Sequence, residues 1–313
     1  MINRIIQLVS LFFFGLALWM IIHEVNHIGL QKLVDLMLST PIWVIAIAGI
    51  FVALDFIVLT GYDLLSLDYI HQKLPFKTVF KTASIGFAVS NTVGHSFASG
   101  GAIRYLFYMP LGLSKSNILV LIAFETLTLF MGMGIIYVVA TLLIPFTTQM
   151  VNYVHLATFY ISSIIITAAF LIYYFVIVRS KRLIKIGGVQ LMAPTRKITL
   201  LQLFIGFTDN FLVSVVFYSI LRYHVETSFL PVFIIFSIAQ VTSLVSQVPG
   251  GLGVLTTMFL LLFPHAMMDK AGIIGSLFIY RVVYFFIPLL LACIYLAGYG
   301  VITRMKLKKN VLR

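Results

Sequence analysis

The chain has 313 residues, 61% of them hydrophobic and 10% charged, with a mean hydropathy of +1.11. An ordinary soluble domain carries roughly 25% charged residues, so a water-facing globule is excluded; the surplus apolar surface needs lipid, and its long runs call for helices rather than a barrel. The formal net charge of +12 comes from basic residues that flank the apolar runs, a pattern of membrane topology and anionic headgroups that gives no sign of nucleic acid as a partner.

The first apolar run, residues 5–22, follows Arg4 and has no small-x-small cleavage site behind it. It is long enough to cross a bilayer and is expected as a retained span, not a signal peptide. Directly after it, His23-Glu24-Val25-Asn26-His27 matches H-E-x-x-H, in which two histidines on one helical face bind zinc and the glutamate is a general base. Five residues with two free positions are weak evidence, and no third ligand or second motif follows. Interfacial histidines are the expectation, and no metal, cofactor or catalytic residue is assigned.

Further apolar runs lie near 42–60, 79–98, 118–144, 157–178, 200–221, 230–248, 252–263 and 271–299. The single cysteine, Cys293, sits inside the last of them and reads as apolar filler. Two runs are interrupted. The 79–98 run breaks at Gly100-Gly101 and resumes as a short piece ending near Pro110; the 230–248 run is joined by "QVPGGLG" (247–253) to a piece too short to span. Proline and glycine at these points permit sharp turns.

Basic residues decide between topologies. Eight full crossings place 10 Lys/Arg inside and 9 outside, no bias at all. Treating both interrupted segments as re-entrant hairpins gives 16 inside and 3 outside, as the positive-inside rule requires. The expected fold is an all-α polytopic membrane protein with six full transmembrane helices and two re-entrant broken-helix hairpins. It is one membrane domain with both termini cytoplasmic. Its halves, 1–150 and 151–313, read as an inverted repeat. Asp55 precedes Gly100 by 45 residues and Asp209 precedes Gly250 by 41, so each half carries a membrane-embedded aspartate followed by a glycine break. Paired interrupted segments in inverted halves point to a transporter binding site.

The candidate binding residues follow from cost. A glycine break in lipid frees backbone groups that need a use, and a helix N-terminus suits an anion. Gly100 and Gly101 precede Arg104, and Pro249, Gly250, Gly251 and Gly253 precede the other short helix. A phosphate cradle is one reading of Arg104; snorkelling to headgroups is the other. Arg281 lies about ten residues into the last run, where a charge needs a partner or a wet cavity, with Asp55, Asp209 and Glu125 as candidate counter-ions. Asn91, Asn210 and Gln247 read as interhelical hydrogen-bonding groups, Asn91 also as a substrate contact. Tyr105, Tyr108, Tyr280 and Tyr284 read as interfacial tyrosines. The stretch 179–197 and the basic tail read as cytoplasmic topology determinants.

Three stretches together, "NTVGHSFASGGAIRYLFYMPLGLS" (91–114), "QVPGGLGV" (247–254) and "YRVVYFFIPL" (280–289), resemble the membrane domain of the lysylphosphatidylglycerol synthase/flippase (multiple peptide resistance factor) family, over nearly the whole chain. The resemblance implies a flippase of the cytoplasmic membrane that moves a phospholipid such as aminoacylated phosphatidylglycerol between leaflets, with a role in antimicrobial-peptide resistance. In that family a soluble transferase part makes the lipid. This chain ends at Arg313 soon after its last span, so no enzyme activity is expected of it. At Leu255-Thr256-Thr257 the chain departs from the family, whose members often carry there an acidic residue that would suit a lysyl headgroup. Two alternatives stand beside the flippase: a transporter of a polyprenyl phosphate or glycolipid, and a non-transporting accessory to a separate lipid-modifying enzyme. A homo-oligomer is compatible with all three.

Overall fold

The structure, a computed structural model, describes residues 30–93, 96–147, 156–179, 184–186, 189–191, 193–246, 253–263 and 270–311, together with Gly15 and Ile22. Apart from Gly15 and Ile22, the expected first span lies outside the described residues, as do the H-E-x-x-H stretch, Gln247, Pro249, Gly250 and Gly251.

The protein is an all-α polytopic membrane protein. A short helix, α1 (Leu30–Ser39), precedes α2 (Ile42–Tyr69). Next come α3 (Phe76–Val93) and α4 (Ser96–Tyr108), then α5 (Lys115–Leu143) and α6 (Leu156–Ile172), which continues as a π turn to Val178. After α7 (Arg196–His224) come α8 (Phe229–Ser246), α9 (Val254–Leu262), α10 (Lys270–Arg281), a second π turn (Val282–Phe286) and α11 (Ile287–Val311). A small antiparallel hairpin, β1 (Ile184–Ile186) with β2 (Val189–Leu191), stands inside the basic 179–197 stretch and pairs Ile184 with Leu191. The sequence reading anticipated neither α1 nor this hairpin.

Among the described residues six stretches are long and apolar enough to cross a membrane: 42–69, 115–146, 156–178, 196–224, 229–246 and 270–299. The membership differs from expectation at one described place. Residues 229–246, expected only as a hairpin arm, form an 18-residue helix, about 27 Å at 1.5 Å per residue, close to the hydrocarbon thickness. The outer faces are hydrocarbon as well. Ile164 and Ile165 on α6, Leu200 and Phe204 on α7 and Leu291 and Ile294 on α11 are all exposed, a distribution that only lipid satisfies.

The helices start where caps or backbone demand it. Ser114 caps α5 by accepting from the Asn117 backbone N–H at 3.1 Å, and Thr195 caps α7 by accepting from the Ile198 N–H at 3.3 Å. Gly253, just before α9, has φ +76°, a conformation costly for any residue with a Cβ. A Cβ built there meets open space, so Gly253→Ala is a pure backbone penalty. It is expected to lower stability by about 1 kcal/mol, read as a drop in the unfolding midpoint of the detergent-purified protein.

Two of the contacts organise everything else. α2 packs along α7, and α5 packs along α7. At the second crossing Gly132 and Gly206 touch through their backbones: a Cβ on either would lie 2.5 Å from the other's Cα. Around this centre α3 and α4 form one helical hairpin wedged between α2 and α5, while α8 and α9 form another between α7 and α10. The arms also cross over, α8 onto α5 and α11 onto α3.

Candidate functional site

The glycine pair followed by arginine resolves into packing. Contrary to the break expected from sequence, Gly100 and Gly101 do not interrupt the helix; α4 runs through both. The Arg104 side chain leans back over the preceding turn, as helical side chains do. A Cβ on Gly100 would stand 2.9 Å from Arg104 Nη1, and one on Gly86 of α3 would stand 3.0 Å from it. Gly101 lets α4 approach Ile122 of α5, whose Cδ1 would lie 2.9 Å from an added Cβ. The glycines make a slot, and the guanidinium fills it.

Four elements contribute to what surrounds that guanidinium. Arg104 is 2% exposed. Its Nη2 donates to Asp63 Oδ1 of α2 at 2.6 Å, and its Nε donates to Glu125 Oε1 of α5 at 2.8 Å and reaches Asp63 Oδ1 at 3.1 Å. Tyr108, one turn on along α4, donates its hydroxyl to Asp63 Oδ2 at 2.5 Å. The ring of Phe87 on α3 lies under the guanidinium, 4.7 Å from ring centre to Cζ, a favourable cation–π arrangement. The cluster holds one positive and two acidic groups, so it presents both signs inside the helix bundle of a membrane protein. Such charges are kept in membranes for function, at a cost to stability.

The elements α7 to α10 build a different cluster. Asp63 lies eight residues after Asp55 on α2, and Phe217 lies eight residues after Asp209 on α7. Phe217 stacks on Phe236 of α8 at 5.1 Å, meets Phe259 of α9 at 4.8 Å and meets Tyr280 of α10 at 5.7 Å. Where the first half draws Asp63, Phe87, Arg104 and Glu125 from successive elements, the second draws Phe217, Phe236, Phe259 and Tyr280.

The remaining sequence candidates fall in three places. Asp55 and Asp209 come together between α2 and α7, as neighbouring carboxyl groups. Their tyrosine partners are Tyr284 for Asp55, at 2.7 Å, and Tyr62 for Asp209, at 2.6 Å. Tyr280 and Tyr284, read from sequence as interfacial, are instead buried in this interior, as is Tyr108 in the charge cluster. Tyr105 is exposed, as an interfacial residue would be. Arg281 is buried at the C-terminal end of α10, next to the π turn that carries Tyr284; π turns of this kind recur at functional sites. Of the counter-ions expected for it, Glu125 bonds Arg104, while Asp55 and Asp209 bond tyrosines. Asn91 is half-buried in the last turn of α3, outside the charge cluster, and Asn210 donates to the Gly206 carbonyl within its own helix at 2.8 Å. Sequence reading missed Asp63 and Tyr62, because it ended the second span at residue 60. The available signal was the eight-residue interval from Asp55 to Asp63, which keeps both on one continuous helix.

No family model matches the chain. It is 32% identical over 282 residues to the uncharacterized protein slr0712 of Synechocystis, covering 88% of this chain and 85% of that one. It is 29% identical over 281 residues to the inner membrane protein YbhN of Escherichia coli, covering 88% of this chain and 81% of that protein. A more distant match, 23% over 299 residues, is to the phosphatidylglycerol lysyltransferase of Staphylococcus haemolyticus; it takes in 93% of this chain but 34% of that protein.

Proposed function

The chain belongs to one family with the Synechocystis protein slr0712, and on that premise we propose that it is a lipid transporter moving a phospholipid headgroup between membrane leaflets. The observation that carries this reading is the Asp63–Arg104–Glu125 cluster, buried where a short helical hairpin packs between α2 and α5 in a membrane protein. A guanidinium fork suits a phosphate. The two carboxylates that hold it at rest are the partners an ammonium would seek. A headgroup bearing both a phosphate and a basic group exchanges with the cluster without leaving any member uncompensated. Aminoacylated phosphatidylglycerol has that chemistry, and the distant match to a phosphatidylglycerol lysyltransferase favours it. The match to an inner membrane protein favours the cytoplasmic membrane; that both termini lie inside rests on the distribution of basic residues. The two helix-hairpin-helix sets, each packed the same way around α2 and α7, support reading the halves as an inverted repeat with the site between them.

The test is leaflet-resolved movement of fluorescent phosphatidylglycerol and lysyl-phosphatidylglycerol in proteoliposomes. Wild type is expected to move at least one of them. Arg104→Lys keeps the charge but loses the fork, and its rate is expected to fall at least about tenfold, the worth of ~1.4 kcal/mol. Folded wild-type protein that moves neither lipid overturns the reading.

A further inference from the structure

A second buried polar group takes no part in the charge cluster. Asp55 is 0% and Asp209 5% exposed, at the crossing of α2 and α7. Tyr284 donates to Asp55 Oδ2 and Tyr62 donates to Asp209 Oδ2. Asp55 Oδ1 is also buried, and no donor among the described residues reaches it. A buried acceptor left like this is costly, and two neighbouring ionised carboxylates repel with little solvent to screen them.

Among the described residues, the neighbouring elements bring no hydrogen-bond donor to Asp55 Oδ1. On α2 and α7 the titratable groups facing the pair are its own members and Tyr62. From α10 come Tyr280 and Arg281, from the π turn Tyr284, and from α5 Glu125, which is already held by Arg104. α8 carries no ionisable side chain, and the two on α3, Lys77 and Lys81, lie in its first turns. Lys81 is committed to the rings of Phe107 and Tyr295. A single proton between the carboxyl groups resolves both problems. It supplies the missing donor as an O–H···O⁻ bridge and leaves one negative charge for two tyrosine hydroxyls to stabilise.

We propose that Asp55 and Asp209 form a proton-binding carboxyl pair whose loading and release drive the exchange at the charge cluster. This inference rests on the transporter reading above for the exchange; the proton site itself does not need that reading. Only an O–H bond is made and broken: the proton enters from one aqueous side and leaves to the other. A physical connection runs from the pair in both directions. Tyr62, the donor to Asp209, is the chain neighbour of Asp63. Its ring packs edge-on against Phe87 at 5.5 Å, and Phe87 lies under Arg104. On the other side Tyr284 stacks on Tyr280 at 5.5 Å, and Tyr280 belongs to the aromatic set of the second half. The pair sits where the ionic half meets the aromatic half.

The experiment uses full-length protein in liposomes and has two readouts. Infrared difference spectra between acid and alkaline buffer, in H₂O and D₂O, report the carbonyl stretch of a protonated carboxylic acid. That band is expected in wild type and in Asp35→Asn, an exposed control on α1. It is expected to vanish in Asp55→Asn and in Asp209→Asn, and to shift in Tyr284→Phe, which removes a donor but no carboxyl. An imposed pH gradient is expected to change wild-type lipid movement about fivefold or more and to leave Asp209→Asn unaffected. Absence of the band in folded wild type overturns the proton site, as do spectra that respond to sodium at fixed pH. Lipid movement indifferent to the gradient overturns the coupling. A band that vanishes in both asparagine variants, with no lipid moved, supports the proton site and counts against the transporter reading alone.

Discussion

Asp63→Ala is expected to lower the stability of the folded protein by about 3–5 kcal/mol, the cost of stripping one partner from a buried ion pair. The size follows from what Asp63 holds. Its carboxylate takes the 2.6 Å bond from Arg104 Nη2, and it is the acceptor for Tyr108. Truncation leaves a guanidinium 2% exposed, with Glu125 as its remaining carboxylate, and a buried phenol with its acceptor gone. Denaturant or thermal unfolding of the detergent-purified protein measures the loss. The same physics predicts an opposite result for the triple variant Asp63→Asn/Arg104→Met/Glu125→Gln. With no ion left to strand, its stability is expected within about 1.5 kcal/mol of wild type, the range of volume-conserving swaps, while lipid movement is lost. A triple variant that is stable and still transports at the wild-type rate would show the cluster to be scaffolding only.

Much of this fold can be read in the sequence, because hydrocarbon leaves few choices. Runs of apolar residues long enough to span must be helical, and the expected runs at 118–144, 157–178, 200–221 and 271–299 match helices 115–143, 156–172 with its π turn, 196–224 and 270–311. The short arms were marked by length: neither Ser96–Tyr108 nor Val254–Leu262 is long enough to span, whereas 229–246, expected as an arm, is. The aspartates of each half, 55 and 209, were singled out by the rule that a charge in lipid needs a reason, and they do meet. What failed is instructive. Glycine in a chain reads as flexibility, but in lipid-embedded helices it as often marks close approach. Gly100 and Gly101 are of the second kind, and only the positions of Arg104 and Ile122 reveal it. Asp63 was missed because hydropathy falls across "GYDLLSLDY" (61–69), where the helix continues past the hydrocarbon run. Pairing is a third-dimensional fact: nothing local says that Glu125 goes to Arg104 rather than to Arg281.

Gly206→Ala is expected to destabilise the protein by at least about 3 kcal/mol, the upper end for overpacking, although the change adds only one methyl group. The reason is what the methyl meets. It would lie 2.5 Å from Gly132 Cα, 2.9 Å from Gly132 N and 3.1 Å from the Thr128 carbonyl oxygen. All three are backbone atoms of α5, so no side chain can swing aside and the two helices must separate. Separation breaks the bond from Gln202 Nε2 to Thr128 Oγ1, 3.0 Å long and one turn away. It also displaces Asp209, three residues on, from the Tyr62 hydroxyl, so lipid movement and the proton site fail together in whatever protein remains folded. Gly49→Ala supplies the contrast. That glycine lies within α2, and a Cβ there meets nothing within 4 Å. The same substitution is then expected to stabilise by roughly 0.5–1 kcal/mol through helix propensity. Unfolding midpoints of the two variants, measured side by side in one detergent, should move in opposite directions. A Gly206→Ala protein as stable as wild type would mean that α5 and α7 do not cross at these two glycines.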